Sequence, residues 1–168
     1  CSSDLQLRNL ATVGGSIYSR FGFSDVLTMF LALNASVELY KGGVVPLAEY
    51  AQRPYDRDIL VRVIVPKENA RFVYQSVRNS QTDFPVLTCA AAKLADGSIR
   101  AVIGARPGKA VLYTAAPEAG ETAEEFAARF AAEVKADIKT ESNLRGGAEY
   151  RRHLAGVLTK RAVCRLEG

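Results

Sequence analysis

A chain of 168 residues with 48% hydrophobic residues is long enough for one ordinary domain or two small ones with a real core. It holds no apolar run near the roughly 18 residues of a membrane span, and its net charge of +4 is scattered among 18 acids instead of alternating with stacking aromatics, which argues against a nucleic-acid surface. Cys1, Cys89 and Cys164 are far apart with no CxxC, so spacing excludes a self-contained zinc or iron–sulfur site and a reducing cytoplasm is expected. The chain opens on Cys1 with no signal-peptide pattern and reads as part of a longer protein.

The first informative stretch is RNLATVGGSIYSRFGFSD, from Arg8 to Asp25. Thr12, Gly14, Gly15 and Ser16 place unhindered amides beside hydroxyls, as a pyrophosphate cradle requires. A tight turn that needs glycine would give the same letters. Ser16 to Arg20 is expected to form a helical turn behind the glycines. Ser24 can cap the next helix, leaving Asp25 to accept hydrogen bonds from ligand hydroxyls; alternatively Asp25 is itself the cap. Val26, Leu27, Met29, Phe30, Leu31 and Leu33 nearly encircle that helix, so it must be buried on several sides. Ser36 to Tyr40 alternates as a strand up to the Gly42-Gly43 turn, and Pro46 opens a short helix through Tyr50 and Ala51. Ile59 to Val65 is a β-branched strand closed by Pro66.

Phe72 to Val77 reads as another strand, followed by a polar loop from Arg78 to Thr82. The apolar stretch Phe84 to Leu94 turns at Asp96-Gly97 into Ser98 to Ala105, and Ala110 to Ala115 adds a further strand. Short turns between successive strands imply antiparallel pairing. Thr122 and Glu125 form a capping box ahead of Phe126, Phe130, Val134 and Ile138. After Gly146-Gly147 comes a last helix with Tyr150, Leu154, Val157 and Leu158 on one face, and Arg151, Arg152, Lys160 and Arg161 largely elsewhere and solvated. His153, the lone histidine, reads as a surface residue. The expected class is α+β, with a ligand-contacting part in residues 1–80 and an antiparallel sheet faced by two helices in residues 81–168.

The ordered motifs carry a resemblance. R-N-x-A-T-x-G-G-S, then S-D opening an apolar helix, resembles the FAD-binding (medium, flavoprotein) subunit of the molybdenum hydroxylases, which include xanthine dehydrogenase and carbon monoxide dehydrogenase-like enzymes. The T-D-F-P-V-L run at Thr82 to Leu87, I-G-A-R-P at Ile103 to Pro107 and A-E-Y-R-R-H-L-A-G-V-L at Ala148 to Leu158 extend the match over essentially the whole chain. The resemblance implies the second FAD-binding subdomain followed by the flavoprotein C-terminal domain. It implies that Thr12, Gly14, Gly15 and Ser16 contact the FAD diphosphate, that Asp25 bonds cofactor hydroxyls, and that Leu60 packs near the isoalloxazine ring. It implies no catalytic acid or base and no metal on this chain.

Electrons would pass from iron–sulfur clusters through FAD to an acceptor, with the molybdopterin and iron–sulfur clusters on partner subunits. A homodimer is a further expected assembly. Because the family grips FAD between two subdomains, the C-terminal one alone would hold FAD weakly or not at all. The sequence departs from the family near Gln75, where many relatives carry a lysine and this chain offers Tyr74 and Gln75. It departs again at Ser19 to Phe23, which carries Arg20 and two aromatics. A different reading makes the chain a non-catalytic module that docks the iron–sulfur and molybdenum subunits. An unrelated nucleotide-binding enzyme would need the G-x-x-x-x-G-K-[ST] loop, which is absent from the sequence.

Overall fold

The computed structural model describes residues 9–67 and 71–167; Cys1 lies outside them. The Thr12 hydroxyl accepts from the Gly15 amide at 3.0 Å and caps helix α1, Val13–Tyr18. That cap moves the helix forward from its expected start at Ser16, so Gly14 and Gly15 fall inside its first turn. Arg20 ends the segment in the left-handed region, with φ 52°. Its buried guanidinium lies 4.0 Å from the Tyr50 ring centroid and pairs with Asp56 at 2.6 Å. Ser24 caps helix α2, Asp25–Ala32, by accepting from the Leu27 amide at 3.2 Å.

Strands β1 (Ser36–Leu39), β2 (Gly43–Pro46) and β3 (Leu60–Ile64) form an antiparallel sheet in the order β2–β1–β3, with helix α3 (Leu47–Gln52) after β2. The sequence concealed β2, whose four residues run from the second glycine of the turn to Pro46. Pro46 closes that strand and precedes the helix instead of beginning it. The second sheet is an antiparallel meander of β4 (Arg71–Val77), β5 (Leu87–Lys93), β6 (Ile99–Gly104) and β7 (Val111–Ala115), with the β5–β6 turn at Gly97 as expected. β4 precedes residue 80, yet it pairs with β5 over its full length and belongs to this second sheet.

Helices α4 (Ala123–Asp137) and α5 (Ala148–Glu167) cover one face of the meander, and α4 begins with the expected Thr122–Glu125 capping box. Leu87, Cys89, Ala91, Ile99, Ala101 and Ile103 face these helices, against Phe126, Phe130, Leu158 and Val163. Ala90, Ala92 and Val102 point the other way, into a second core with Leu27, Leu31, Val37 and Tyr50. The alternation of a strand thus serves two layers at once. Burial on that first face drives the Cys89 thiol up to about 12.

Two close approaches fix α2 on the meander. A Cβ on Gly104 would stand 2.5 Å from the Thr88 hydroxyl and 2.6 Å from that of Thr28. One on Gly22 would stand 1.8 Å from the Gly108 carbonyl oxygen, a backbone atom that cannot swing aside. Gly22→Ala is therefore expected to destabilise the fold by about 1–3 kcal/mol, the range for a forced backbone shift in a packed interior, measurable by denaturant unfolding.

Candidate functional site

The start of α1 is open. Among the described residues nothing lies within 4 Å of the position a Gly14 Cβ would take, and Gly15 has only the Thr12 hydroxyl nearby, at 3.0 Å. Gly14 therefore has no packing reason to be glycine within the described residues. Thr12 is engaged by its cap, and Ser16 donates its backbone N–H to the Thr12 carbonyl at 3.0 Å.

Asp25 sits in the first turn of α2 and is not the cap, because Ser24 fills that position. Its carboxylate is nonetheless not free, as the sequence had suggested. Tyr74 donates its hydroxyl to Oδ1 at 2.6 Å, and the Arg78 guanidinium donates to Oδ2. The side chain remains 30% exposed, and each carboxylate oxygen keeps a second lone pair for a ligand hydroxyl. Burial first, and then the Asp25 charge, push the Tyr74 phenol far above its ordinary range, so it stays a hydrogen-bond donor. Of the two residues at the expected lysine position, Tyr74 faces Asp25, whereas Gln75 points to α5 and donates to the Leu158 carbonyl at 3.4 Å. Leu60, half-buried at the start of β3, packs on the second core beside exposed Ile59 and Val61.

From Asp25 a chain of polar contacts runs across the molecule. Arg78 also donates to the Asp83 carbonyl at 2.6 Å, and the Asp83 carboxylate accepts from Arg145 at 2.8 Å. The Arg145 amide donates to Asn143 Oδ1 at 2.9 Å, and Arg151 donates to the same oxygen at 2.6 Å. Arg151 is the main correction to the sequence reading. It is not solvated but 1% exposed, and it donates to the carbonyls of Val86, Glu141 and Gly146 at 2.9, 2.6 and 2.7 Å. Tyr150, expected on the apolar face, is 50% exposed instead. Desolvation, and then the neighbouring charge of Arg145, lower the Arg151 pKa, yet four oxygens satisfy the cation without a carboxylate.

His153 is exposed on α5, and the described residues contain no group of His, Cys, Asp or Glu able to hold a metal. Among those residues, no helix is long and apolar enough to cross a membrane.

The two halves of the chain match two family models. Residues 2–68 match the FAD binding domain in molybdopterin dehydrogenase, and residues 72–166 match the CO dehydrogenase flavoprotein C-terminal domain. The chain belongs to the molybdopterin dehydrogenase flavoprotein family. Its cofactor type is therefore FAD, and the open α1 start and part-exposed Asp25 fit a diphosphate and ribityl or ribose hydroxyls. A curated relative, the uncharacterised protein YgfM of Escherichia coli K12, is 27% identical over 155 residues, covering 90% of this chain and 57% of YgfM. The fold is also similar to carbon monoxide dehydrogenase from Hydrogenophaga pseudoflava lacking the Mo-pyranopterin moiety (TM-score 0.82, 24% identity, 98% of this chain and 63% of that one). It is similar again to quinoline 2-oxidoreductase from Pseudomonas putida 86 (TM-score 0.79, 19% identity, 98% and 63%). The chain thus spans less than two thirds of the length of these relatives.

Two outcomes follow from the polar chain. Arg151→Leu removes the guanidinium from the Val86 and Glu141 carbonyls and leaves Gly146 only its Asn143 amide donor, and should cost about 3 kcal/mol in unfolding free energy. The hydrogen bond from Arg145, followed by that from the Phe84 amide, holds the Asp83 carboxyl below its usual range. A depressed native pKa contributes stability above the unfolded value of about 4, which is lost as pH falls through the native one. The melting temperature of Asp83→Asn should therefore lie below that of the parent at pH 7, with the gap closing below about pH 4.

Proposed function

We propose that this protein is the FAD-carrying electron-transfer component of a molybdopterin-dependent dehydrogenase. The observation that carries the reading is Gly14, a half-buried glycine at a helix start with nothing of the described residues where its Cβ would be. Amides at that start, with Thr12, Gly15 and Ser16, would line the cofactor diphosphate, and the helix dipole would favour its negative charge. Asp25, held in one orientation by Tyr74 and Arg78, would accept from cofactor hydroxyls. Leu60 would lie against the flavin ring. Bound FAD supplies redox chemistry, accepting electrons and handing them on to an acceptor. The chain contributes binding, orientation and the local field. The resemblance puts a lysine of many relatives near Gln75; with Tyr74 or Gln75 there, a cation that would favour anionic reduced flavin would be replaced by a neutral side chain.

The FAD-binding unit is taken to end between residues 68 and 72, where the two matches meet and β4 joins the second sheet, and not at residue 80. The second unit would dock the iron–sulfur and molybdopterin subunits. Its α5 exposes Arg152, His153, Lys160, Arg161 and Arg165, none of them ion-paired among the described residues. The fold similarity to carbon monoxide dehydrogenase and quinoline 2-oxidoreductase is consistent with such an assembly; the xanthine dehydrogenase-like type, the cytoplasmic location and a homodimer as one arrangement belong to this proposal alone. This chain by itself would hold FAD weakly.

The glycine reading separates cleanly from a structural one. Gly14→Ala fills empty space in a helix, so stability should stay level or rise by about 0.5–1 kcal/mol. FAD affinity of the intact protein should fall at least about tenfold, as read by flavin absorbance after dialysis. Intact parent protein that is colourless and takes up no added FAD would sink the proposal.

A further inference from the structure

Beside the polar chain lies a cavity of about 400 Å³, lined by Phe23, Phe84, Pro85, Ala105, Pro107, Gly108, Asn143 and Arg145. That volume falls within the usual span for small-molecule sites. Its apolar wall is aromatic and open to solvent. Phe23 and Phe84 meet edge to face with centroids 4.8 Å apart while remaining 40% and 54% exposed, and Phe21 stacks behind Phe23 at 5.0 Å. Rings left uncovered in this way present a face for another flat ring.

The backbone at this wall is held in an unusual state. Ala105 sits in the left-handed region at φ 58°, fixed by its amide hydrogen bond to the Gly22 carbonyl at 2.6 Å. A non-glycine residue in that region costs energy and persists where the surroundings over-determine it, as they do at binding sites.

The polar wall selects the ligand's chemistry. Arg145 uses Nε and Nη2 on Asp83, and among the described residues its Nη1 and the Asn143 Nδ2 make no hydrogen bond. Two donors on residues that line the cavity are therefore without an acceptor among the described residues. Asp83 and Asp25 are each paired, with Arg145 and Arg78, whereas buried Arg151, bonded to the Asn143 oxygen, has no carboxylate partner among the described residues. An acceptor oxygen on a ligand, of a carbonyl or of a carboxylate, would meet these donors.

We propose that this cavity is a binding site for a flat aromatic molecule bearing a carbonyl or carboxylate oxygen, with its ring against Phe23 and Phe84 and its oxygen toward Arg145 and Asn143. The proposal does not rest on the flavin reading, and it involves binding alone. Because Arg145 also holds Asp83, and Arg78 links Asp83 to Asp25, occupancy would be transmitted to the Asp25 carboxylate through contacts already present.

The test is calorimetric titration of the intact protein with 2-acetylnaphthalene, naphthalene and 2-naphthoate, with flavin content measured separately. The ketone and the carboxylate should each bind saturably at one site, at least about tenfold tighter than naphthalene. Arg145→Gln should reduce the ketone to the level of naphthalene and leave naphthalene unchanged. Phe23→Ser should weaken both at least about tenfold. A ketone that binds no tighter than naphthalene to the parent protein overturns the proposal without reliance on any variant's folding. So does a Phe23→Ser protein that keeps the parent's affinity, or an absence of saturable binding accompanied by self-association of the parent through its aromatic rings.

Discussion

Everything in this molecule is arranged around a pair of strands that must be covered on both faces. β5 and β6 alternate between two cores, and beside Val102 the residues that point toward α2 include the small Ala90, Ala92 and the bare Gly104. That narrowness lets α2 lie close enough for the Thr28 and Thr88 hydroxyls to come within 3.4 Å. The first turn of α2 carries Asp25, so the candidate site inherits its position from the packing of a helix on a sheet that belongs to the other half of the chain. Loss of close contact there would misplace the carboxylate before it unfolded anything else.

The same constraint explains how two family segments make one object. Strand β4 supplies both Tyr74 toward Asp25 and Gln75 toward α5, alternate residues of a single strand serving the two layers. Arg78, just past its end, reaches back to Asp25 and onward to Asp83. The FAD-binding segment therefore does not orient its own acid. Residues from the following segment do so, and the Arg145 and Arg151 contacts tie that arrangement to the loop before α5.

Local chemistry made much of this legible in the sequence. The Thr122–Glu125 capping box, the Asp96-Gly97 turn, the encircled apolar helix and the antiparallel order of the last four strands each depend on residues a few positions apart. What was not legible depends on distant or patternless partners. Arg151 looked solvated because nothing marks a carbonyl 65 residues away as an acceptor for a buried cation. Asp25 looked free because its donors are 49 and 53 residues along the chain. The glycines were placed before a helix instead of within it, since a Thr cap and a Ser cap four residues on are equally good letters. The aromatics at Phe21 and Phe23 registered only as a departure from the family's pattern; Phe84, which completes the cluster, lies 61 residues from Phe23 and belongs to the other half.

Cys89 turns the two-layered sheet into something that can be timed. Its thiol lies under α4 and α5, whereas its neighbours Ala90 and Ala92 lie under α2. A thiol buried at this depth, with its pKa near 12, is silent toward alkylating reagents while the helices stay on, and exposed Cys164 is not. Detachment of α2 would leave Cys89 covered, and lifting of the α4–α5 layer would uncover it at once. A single native sulfur thereby distinguishes which side of the sheet opens first, a molecular clock that reads one face and ignores the other.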